Sequence, residues 1–509
     1  MHDAPDAGAH RDGGAMFEAA ELDHKVSKAD YKREETELRR ALLTAQRALG
    51  DRPRFPVLIL IAGVEGAGKG ETVRLLSEWM DPRFIEVSGF GLPTEEEAAH
   101  PPMWRFWRAL PPKGRIGVFF GAWHTLPILQ RVLGTLSAGG FAARTEAIMR
   151  LERMLAQEGV LLLKYWFHLS KAQQKRRIRT LEKDEETSWK VTRYDRKLFE
   201  HYDTFVSVCE PFVRQTSTAE APWTVVAAAD GRYRALFVGR HLLGALRARL
   251  DAPEPPAARP APAATVPDKV NVVRALKLGR EMSRAEYDRR LAEAQGRLAR
   301  AARHKRYGRI SVVAVFEGND AAGKGGAIRR LAAALDPRAY RIVPVAAPSE
   351  EERAQPYLWR FWRRVPRPGR LTIFDRSWYG RVLVERVEGF AAEPDWRRAY
   401  AEINDFEAQL VGHGAVVAKF WLATSKDEQH RRFKDREETP FKQHKITAED
   451  WRNREKWDAY EAAVCEMVER TSTREAPWTL VEADNKFHAR VKVVATLADR
   501  LEAALKAAK

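Results

Sequence analysis

The sequence predicts an α/β protein made of two tandem domains, each a parallel sheet that opens on a phosphate-binding glycine loop. Three observations carry that expectation. GVEGAGKGETVRLL from Gly63 recurs as GNDAAGKGGAIRRL from Gly318, an offset of 318 − 63 = 255 residues. The same offset joins WRFW at Trp104 and Trp359, KYWFHLSK at Lys164 to KFWLATSK at Lys419, and TSTAEAPW at Thr216 to TSTREAPW at Thr471, which makes chance similarity untenable. Between the copies, DAPEPPAARPAPAATVPD from Asp251 has the Pro- and Ala-rich composition of a semi-rigid linker. In the second copy the β-branched run RISVVAVFEGND breaks into Gly318 and leads to AAGKGGAIRRLAAALD, whose Ala, Leu and Arg favour a helix. The order is strand, glycine loop, helix.

The elements then follow in chain order. Residues 1–23 mix acids with Gly and Ala, carry no apolar core of a secretory signal, and read as a disordered leader. The first domain spans 24–250, the linker 251–268 and the second domain 269–509. Each domain opens with a charged amphipathic helix, KADYKREETELRRALLTAQRALG and SRAEYDRRLAEAQGRLARAARH, suited to packing or to a homodimer contact. A chain of 509 residues that is 45% hydrophobic and 31% charged has globular composition, and no apolar run approaches the roughly 20 residues a membrane span needs. Cys209 and Cys465 fall near corresponding points of the copies and read as small buried hydrophobes, which points to the cytoplasm. With 87 Lys and Arg against 70 Asp and Glu, the net charge of +17 favours a polyanionic partner. Fifteen Trp at largely equivalent points of the two copies suggest core packing more than base stacking, so neither nucleic acid nor membrane is the expected partner.

The chemistry concentrates in the second copy. Gly318, Ala321, Ala322, Gly323, Gly325 and Gly326 line a loop whose backbone N–H groups and following helix N-terminus can converge on phosphate oxygens, and Lys324 adds a mobile positive charge. Gly325 stands where a Ser or Thr hydroxyl normally meets magnesium, so another ligand is needed. Asp320 inside the loop is one candidate. Asp375 is the other, because LTIFDRSWYGR puts it at the end of a second buried strand, and in a doubly wound sheet the strand C-termini border the ligand crevice. Arg376 and Arg381 flank that second loop with guanidinium forks suited to phosphate oxygens. Further on, HRRFKDREETPFKQHKITAEDWRNREKW reads as a mobile basic lid, with Arg432, Arg436 and Lys445 as its phosphate contacts.

FEGNDAAGKGG, FDRSWYGR, the RRFKDREETP lid and the closing APWTLVEADNKFHAR together resemble the polyphosphate kinase type 2 family, and the match covers both copies. The resemblance implies a three-layer P-loop kinase fold like that of thymidylate kinases. It implies a reaction in which inorganic polyphosphate exchanges a terminal phosphoryl group with a nucleotide, assisted by magnesium or manganese. Family members with two fused copies typically convert AMP to ADP, so the tandem architecture favours AMP as acceptor. By motif, the family's metal-binding acids fall on Asp320 and Asp375, its loop lysine on Lys324, and its phosphate-binding cations on Arg376 and the lid. An ATP-dependent nucleoside monophosphate kinase would use the same loop and lid, and a polyphosphate-dependent nucleoside diphosphate kinase the same donor.

The first copy is expected not to catalyse. At the offset of 255, Phe120 replaces Asp375, Gly121 replaces Arg376 and Leu126 replaces Arg381. Its glycine loop survives with Glu65 for Asp320 and Lys69 for Lys324, which leaves room for phosphate binding but not for metal positioning. Packing, in imitation of the second subunit of a single-copy dimer, is its expected contribution.

Overall fold

The computed structural model describes residues 15–22, 24–253, 271–440, 443, 446 and 448–507. Two compact units divide the chain, one built mainly from the first repeat and one from the second. The second unit takes in Thr94–Trp104 and the first takes in Ser349–Tyr357, so the units do not coincide with the repeats.

Each unit is built on one five-stranded, wholly parallel sheet. In the first, β1 (Val57–Gly63), β2 (Ile85–Gly89), β3 (Ile116–Phe120), β4 (Leu161–His168) and β5 (Trp223–Ala227) lie in the order β2-β3-β1-β4-β5. In the second, β6 (Ser311–Gly318), β7 (Tyr340–Pro344), β8 (Leu371–Asp375), β9 (Ala415–Ala423) and β10 (Trp478–Glu482) repeat it as β10-β9-β6-β8-β7. The register repeats too, with Ile61 beside Phe120 in one sheet and Phe316 beside Asp375 in the other. Chain connections leave the central strand in opposite directions, so a crevice opens at the C-terminal ends of β1 and β3, and again of β6 and β8.

Both faces of each central strand are apolar because both are covered. Val57, Ile59 and Ile61 pack into a cluster with Leu42 and Leu49 of helix Lys28–Asp51, Leu76 of Lys69–Trp79 and Leu242 of Gly231–Asp251. Leu58 and Leu60 point to the other face, by the two-residue alternation of a strand, and are equally buried. The second unit does the same with Val312, Ala314 and Phe316 against Leu298 of helix Arg284–Ala302, Leu331 of Lys324–Ala332 and Leu497 of Lys486–Ala507. Most tryptophans of the repeated motifs are core residues: Trp107, Trp223, Trp362 and Trp478 are buried. Trp223 and Trp478 donate their indole N–H to Thr216 and Thr471 Oγ1, at 2.8 and 2.9 Å.

Two sequence expectations need correction or lie beyond view. The leader is not wholly unstructured, since Ala15–Glu21 is a helix whose Phe17 is buried and stacks on His168 with ring centroids 4.5 Å apart. Buried Ala20 and the contacts of Glu21 with His168 and Gln173 help hold it there. Residues 254–270, most of the expected linker, and Lys445 lie outside the described residues, and Asp251 is the last residue of helix Gly231–Asp251.

Candidate active site

β6 is buried along its length and delivers Gly318 to the crevice. A side chain at Gly318 would strike Leu422 of the neighbouring β9, so this close approach admits only glycine. The loop then turns through Ala321, which holds a φ of 59°, and the helix starts at Lys324 with no side-chain cap. Its first N–H groups are thus left for a ligand. Gly325 has nothing within 4 Å of where a Cβ would stand, so the missing hydroxyl reflects residue choice and not lack of room. Gly326 lies against the Arg490 guanidinium, 3.3 Å from where its own Cβ would stand.

Lys324 Nζ donates to Gly318 O at 2.7 Å and to Asn319 O at 3.3 Å. Burial pulls its ammonium below the usual lysine range, against the opposing pull of Asp320 and Asp375. Both acids also act on Arg376: burial alone would lower its pKa, but Asp320, Glu317, Glu449 and Asp375 hold it raised. Asp320, Lys324, Asp375 and Arg376 therefore share one electrostatic neighbourhood, although Asp320 and Asp375 are 55 positions apart in sequence.

The two acids differ in what they hold. Asp320 is largely enclosed, and both of its oxygens are engaged: Arg376 Nη2 donates to Oδ1 at 3.2 Å, and Asn453 Nδ2 donates to Oδ2 at 2.9 Å. Asp375 accepts no side-chain hydrogen bond from any described residue. A carboxylate of that kind, beside a second acid and a phosphate loop, fits a hard divalent cation that keeps its remaining positions for water and substrate phosphates. No group of three or more His, Cys, Asp or Glu positioned for a metal occurs among the described residues.

Sequence reasoning missed four residues here. Asn453 stands near the end of the lid segment and Tyr460 just beyond it, with Tyr460 Oη donating to Asn453 Oδ1 at 3.2 Å, so a hydrogen-bonded chain runs from Tyr460 through Asn453 and Asp320 to Arg376. Glu317 and Ser377 are buried beneath the loops, and Ser377 Oγ donates to Glu317 Oε1 at 2.8 Å. A cavity at this point is bounded by Gly318, Asp320, Arg376 and Asn453 on its polar side and by Val384, Trp421, Trp457 and Tyr460 on its apolar side.

The phosphate-contact reading needs revision at two cations, Arg432 of the lid and Arg381 of the loop after β8. Arg432 is only 3% exposed, and its guanidinium donates to Ala321 O, Ala483 O and Asp484 O while pairing with Glu428. It braces the glycine loop from beneath and does not swing over a substrate. Arg381 is turned to Glu385 one helical turn on, Nε to Oε2 at 2.9 Å, and is not among the residues bounding the cavity. Arg436, on the same helix Lys426–Glu438, is half-buried.

The first unit retains the loop but closes it on itself. Lys69 Nζ reaches Gly63 O at 2.8 Å, as in the other unit, but it also pairs with Glu65 Oε1 at 2.9 Å. The Arg234 guanidinium packs against Gly68, and Arg177 and Arg234 both pair with Glu71. Leu198 and Phe205 stand at the positions of Asn453 and Tyr460, and Ala62 and Ala122 at those of Glu317 and Ser377.

A family model described as polyphosphate kinase 2 matches residues 25–253 and again 281–509. A polyphosphate:AMP phosphotransferase of Pseudomonas aeruginosa is 57% identical over 493 residues, 96% of this chain and 99% of that one. One of the same description from Acinetobacter johnsonii is 39% identical over 450 residues, 88% of this chain and 91% of that one. A crystal structure of a polyphosphate kinase 2 from Pseudomonas aeruginosa superposes with a TM-score of 0.88 at 54% identity, covering 97% of this chain and all of the other.

Proposed function

The chain belongs to the polyphosphate kinase 2 family, and from that premise we propose that it transfers the terminal phosphoryl group of inorganic polyphosphate to AMP, giving ADP, with its second repeat doing the chemistry. The observation that carries AMP as acceptor is the 57% identity, along nearly the whole chain, to a polyphosphate:AMP phosphotransferase. An oxygen of the AMP phosphate attacks the terminal phosphorus. The bond from that phosphorus to the bridging oxygen breaks, and a polymer one unit shorter leaves with the bridging oxygen's electrons. Little covalent work falls to the protein in such a transfer; its tasks are to position the reactants and offset their charge.

The residues divide that work. The loop N–H groups and Lys324 hold phosphate oxygens, for which Lys324 exchanges its carbonyl partners Gly318 O and Asn319 O. Arg376 sits at the cavity wall, where its fork can meet charge on the transferred group. Asp320 and Asp375 would hold magnesium, Asp320 through the oxygen now bonded to Arg376 while Asn453 keeps the other, and the ion supplies charge neutralisation across the reacting phosphates. Val384, Trp457 and Tyr460 add apolar surface to the cavity that the loop and Arg376 also line. Buried, unpaired Cys209 and Cys465 accord with a reducing, cytoplasmic setting.

The test is a donor and acceptor matrix with purified protein and magnesium. AMP with polyphosphate should yield ADP rapidly, while ATP in place of polyphosphate, or ADP in place of AMP, should be poor. A preference for ATP as donor would overturn the proposal, and a preference for ADP as acceptor would overturn its choice of nucleotide.

A further inference from the structure

The backbone turns left-handed after β3 in the first unit and after β8 in the second, but only the second puts a side chain there. Gly121 has a φ of 78° and its counterpart Arg376 a φ of 64°. Glycine adopts such a conformation without penalty, whereas for an arginine it is strained and persists only where the surroundings impose it. The second unit therefore holds a conformation that the first obtains freely.

What imposes it is visible in the neighbouring residues. Arg376 N donates to Phe316 O at 3.0 Å, which ties the strained residue to the end of β6. The next residue, Ser377, is 2% exposed and makes two bonds with one hydroxyl: it donates to Glu317 Oε1 at 2.8 Å and accepts from Tyr379 N at 3.2 Å. Glu317, 5% exposed, follows Phe316 on the same strand end, so the two ties act on adjacent residues of each segment. Burial pushes the Glu317 carboxyl above the usual carboxylate range, against Ser377, Lys324 and Arg376, so keeping it there has a cost that a methyl group would not carry. The first unit carries that methyl group at both places, Ala62 and Ala122, beside Gly121. Restraint and strained arginine are present together in one unit and absent together in the other.

We propose that the Ser377–Glu317 hydrogen bond holds Arg376 in its left-handed conformation, so that both are positioning residues for phosphoryl transfer. The inference rests on the reading of Arg376 as a phosphate-binding residue of the second repeat. It predicts that Glu317 matters only as long as residue 376 is not glycine.

The experiment is a double-mutant cycle in the full chain with E317A, R376G and the combined variant, following turnover of AMP with polyphosphate and, separately, the affinity for tripolyphosphate. E317A alone should lower kcat between about tenfold and a hundredfold, the range expected for misplacing a reacting contact, with the KM for AMP changed by less than about twofold. In the R376G background E317A should change neither readout further. E317Q, which keeps an acceptor oxygen for Ser377, should recover most of the loss. Equal losses in both backgrounds, or wild-type turnover in E317A, would overturn the proposal. S377A, a smaller change, carries the same cycle if E317A does not fold. Failure of the underlying reading looks different: the wild-type chain would not phosphorylate AMP, or R376G would keep the full rate.

Discussion

Phe120 and Asp375 occupy the same place in their sheets, each the last residue of its strand and each beside the central strand at equivalent register. Around them the two units diverge. One end carries Phe120, Gly121, Ala122, Leu198 and Phe205, while the other carries Asp375, Arg376, Ser377, Asn453 and Tyr460. Beneath that end they agree. Lys164 pairs with Glu152 at 2.6 Å and donates to Thr216 O at 2.6 Å; Lys419 pairs with Glu407 at 2.7 Å and donates to Thr471 O at 2.7 Å. Trp123 and Trp378 each donate to the same glutamate, both at 3.0 Å. Burial pulls both lysines below their usual pKa range against the pull of their carboxylates. A charged network kept in both units serves the fold, and on the proposed reading the groups kept in one unit alone serve the chemistry.

The shared network gives the largest expected effect and should not distinguish the halves. E152A and E407A each leave a fully enclosed ammonium without its carboxylate, so each should destabilise its unit by about 3 to 5 kcal/mol in denaturant unfolding. A large loss from one and none from the other would break the equivalence.

The divergent end should give opposite results in the two halves. D375A should lower turnover on the order of a hundredfold or more, while F120A should leave it within about twofold. A folded D375A retaining more than about a tenth of the wild-type rate would remove Asp375 from the proposed metal site.

A smaller effect is expected at Asn453. N453L installs the first unit's residue and removes one hydrogen bond to the Asp320 carboxylate, a loss of about 1.5 to 3 kcal/mol, or about a factor of ten to two hundred in turnover. An N453L enzyme at the wild-type rate would reduce Asn453 to a surface contact.

These contrasts also show what the sequence could carry. The tandem α/β plan was legible because a long repeat with constant offset fixes the order of elements twice, and strand, glycine loop and helix are local patterns. That Asp320, Lys324, Asp375 and Arg376 would meet was legible for the same reason, since they lie in or beside the loops that follow β6 and β8. Asn453 was not, since it stands on a helix 133 residues from Asp320 and only packing brings them together. Arg432 was misread because a run of basic residues does not say which of them faces inward, and its position on the helix turns it beneath Ala321. Glu317 and Ser377 could have been found by extending the comparison of the repeats from the motif residues to their neighbours, where Ala62 and Ala122 stand opposite them. Phe17 escaped notice because a single aromatic in a polar leader carries no periodic signal, although its partners Trp166 and His168 are buried.

Assignment of catalysis to the second repeat is tested most directly by the two loop lysines. Lys69 and Lys324 sit at the same point of the same loop, each bonded to the glycine carbonyl that opens it, but Lys69 is already paired with Glu65. Turnover of AMP with polyphosphate should be measured for K69A and K324A side by side, with folding of each checked by circular dichroism. K324A should lose on the order of a hundredfold or more, and K69A should remain within about twofold of wild type. A folded K69A as inactive as K324A would contradict the assignment.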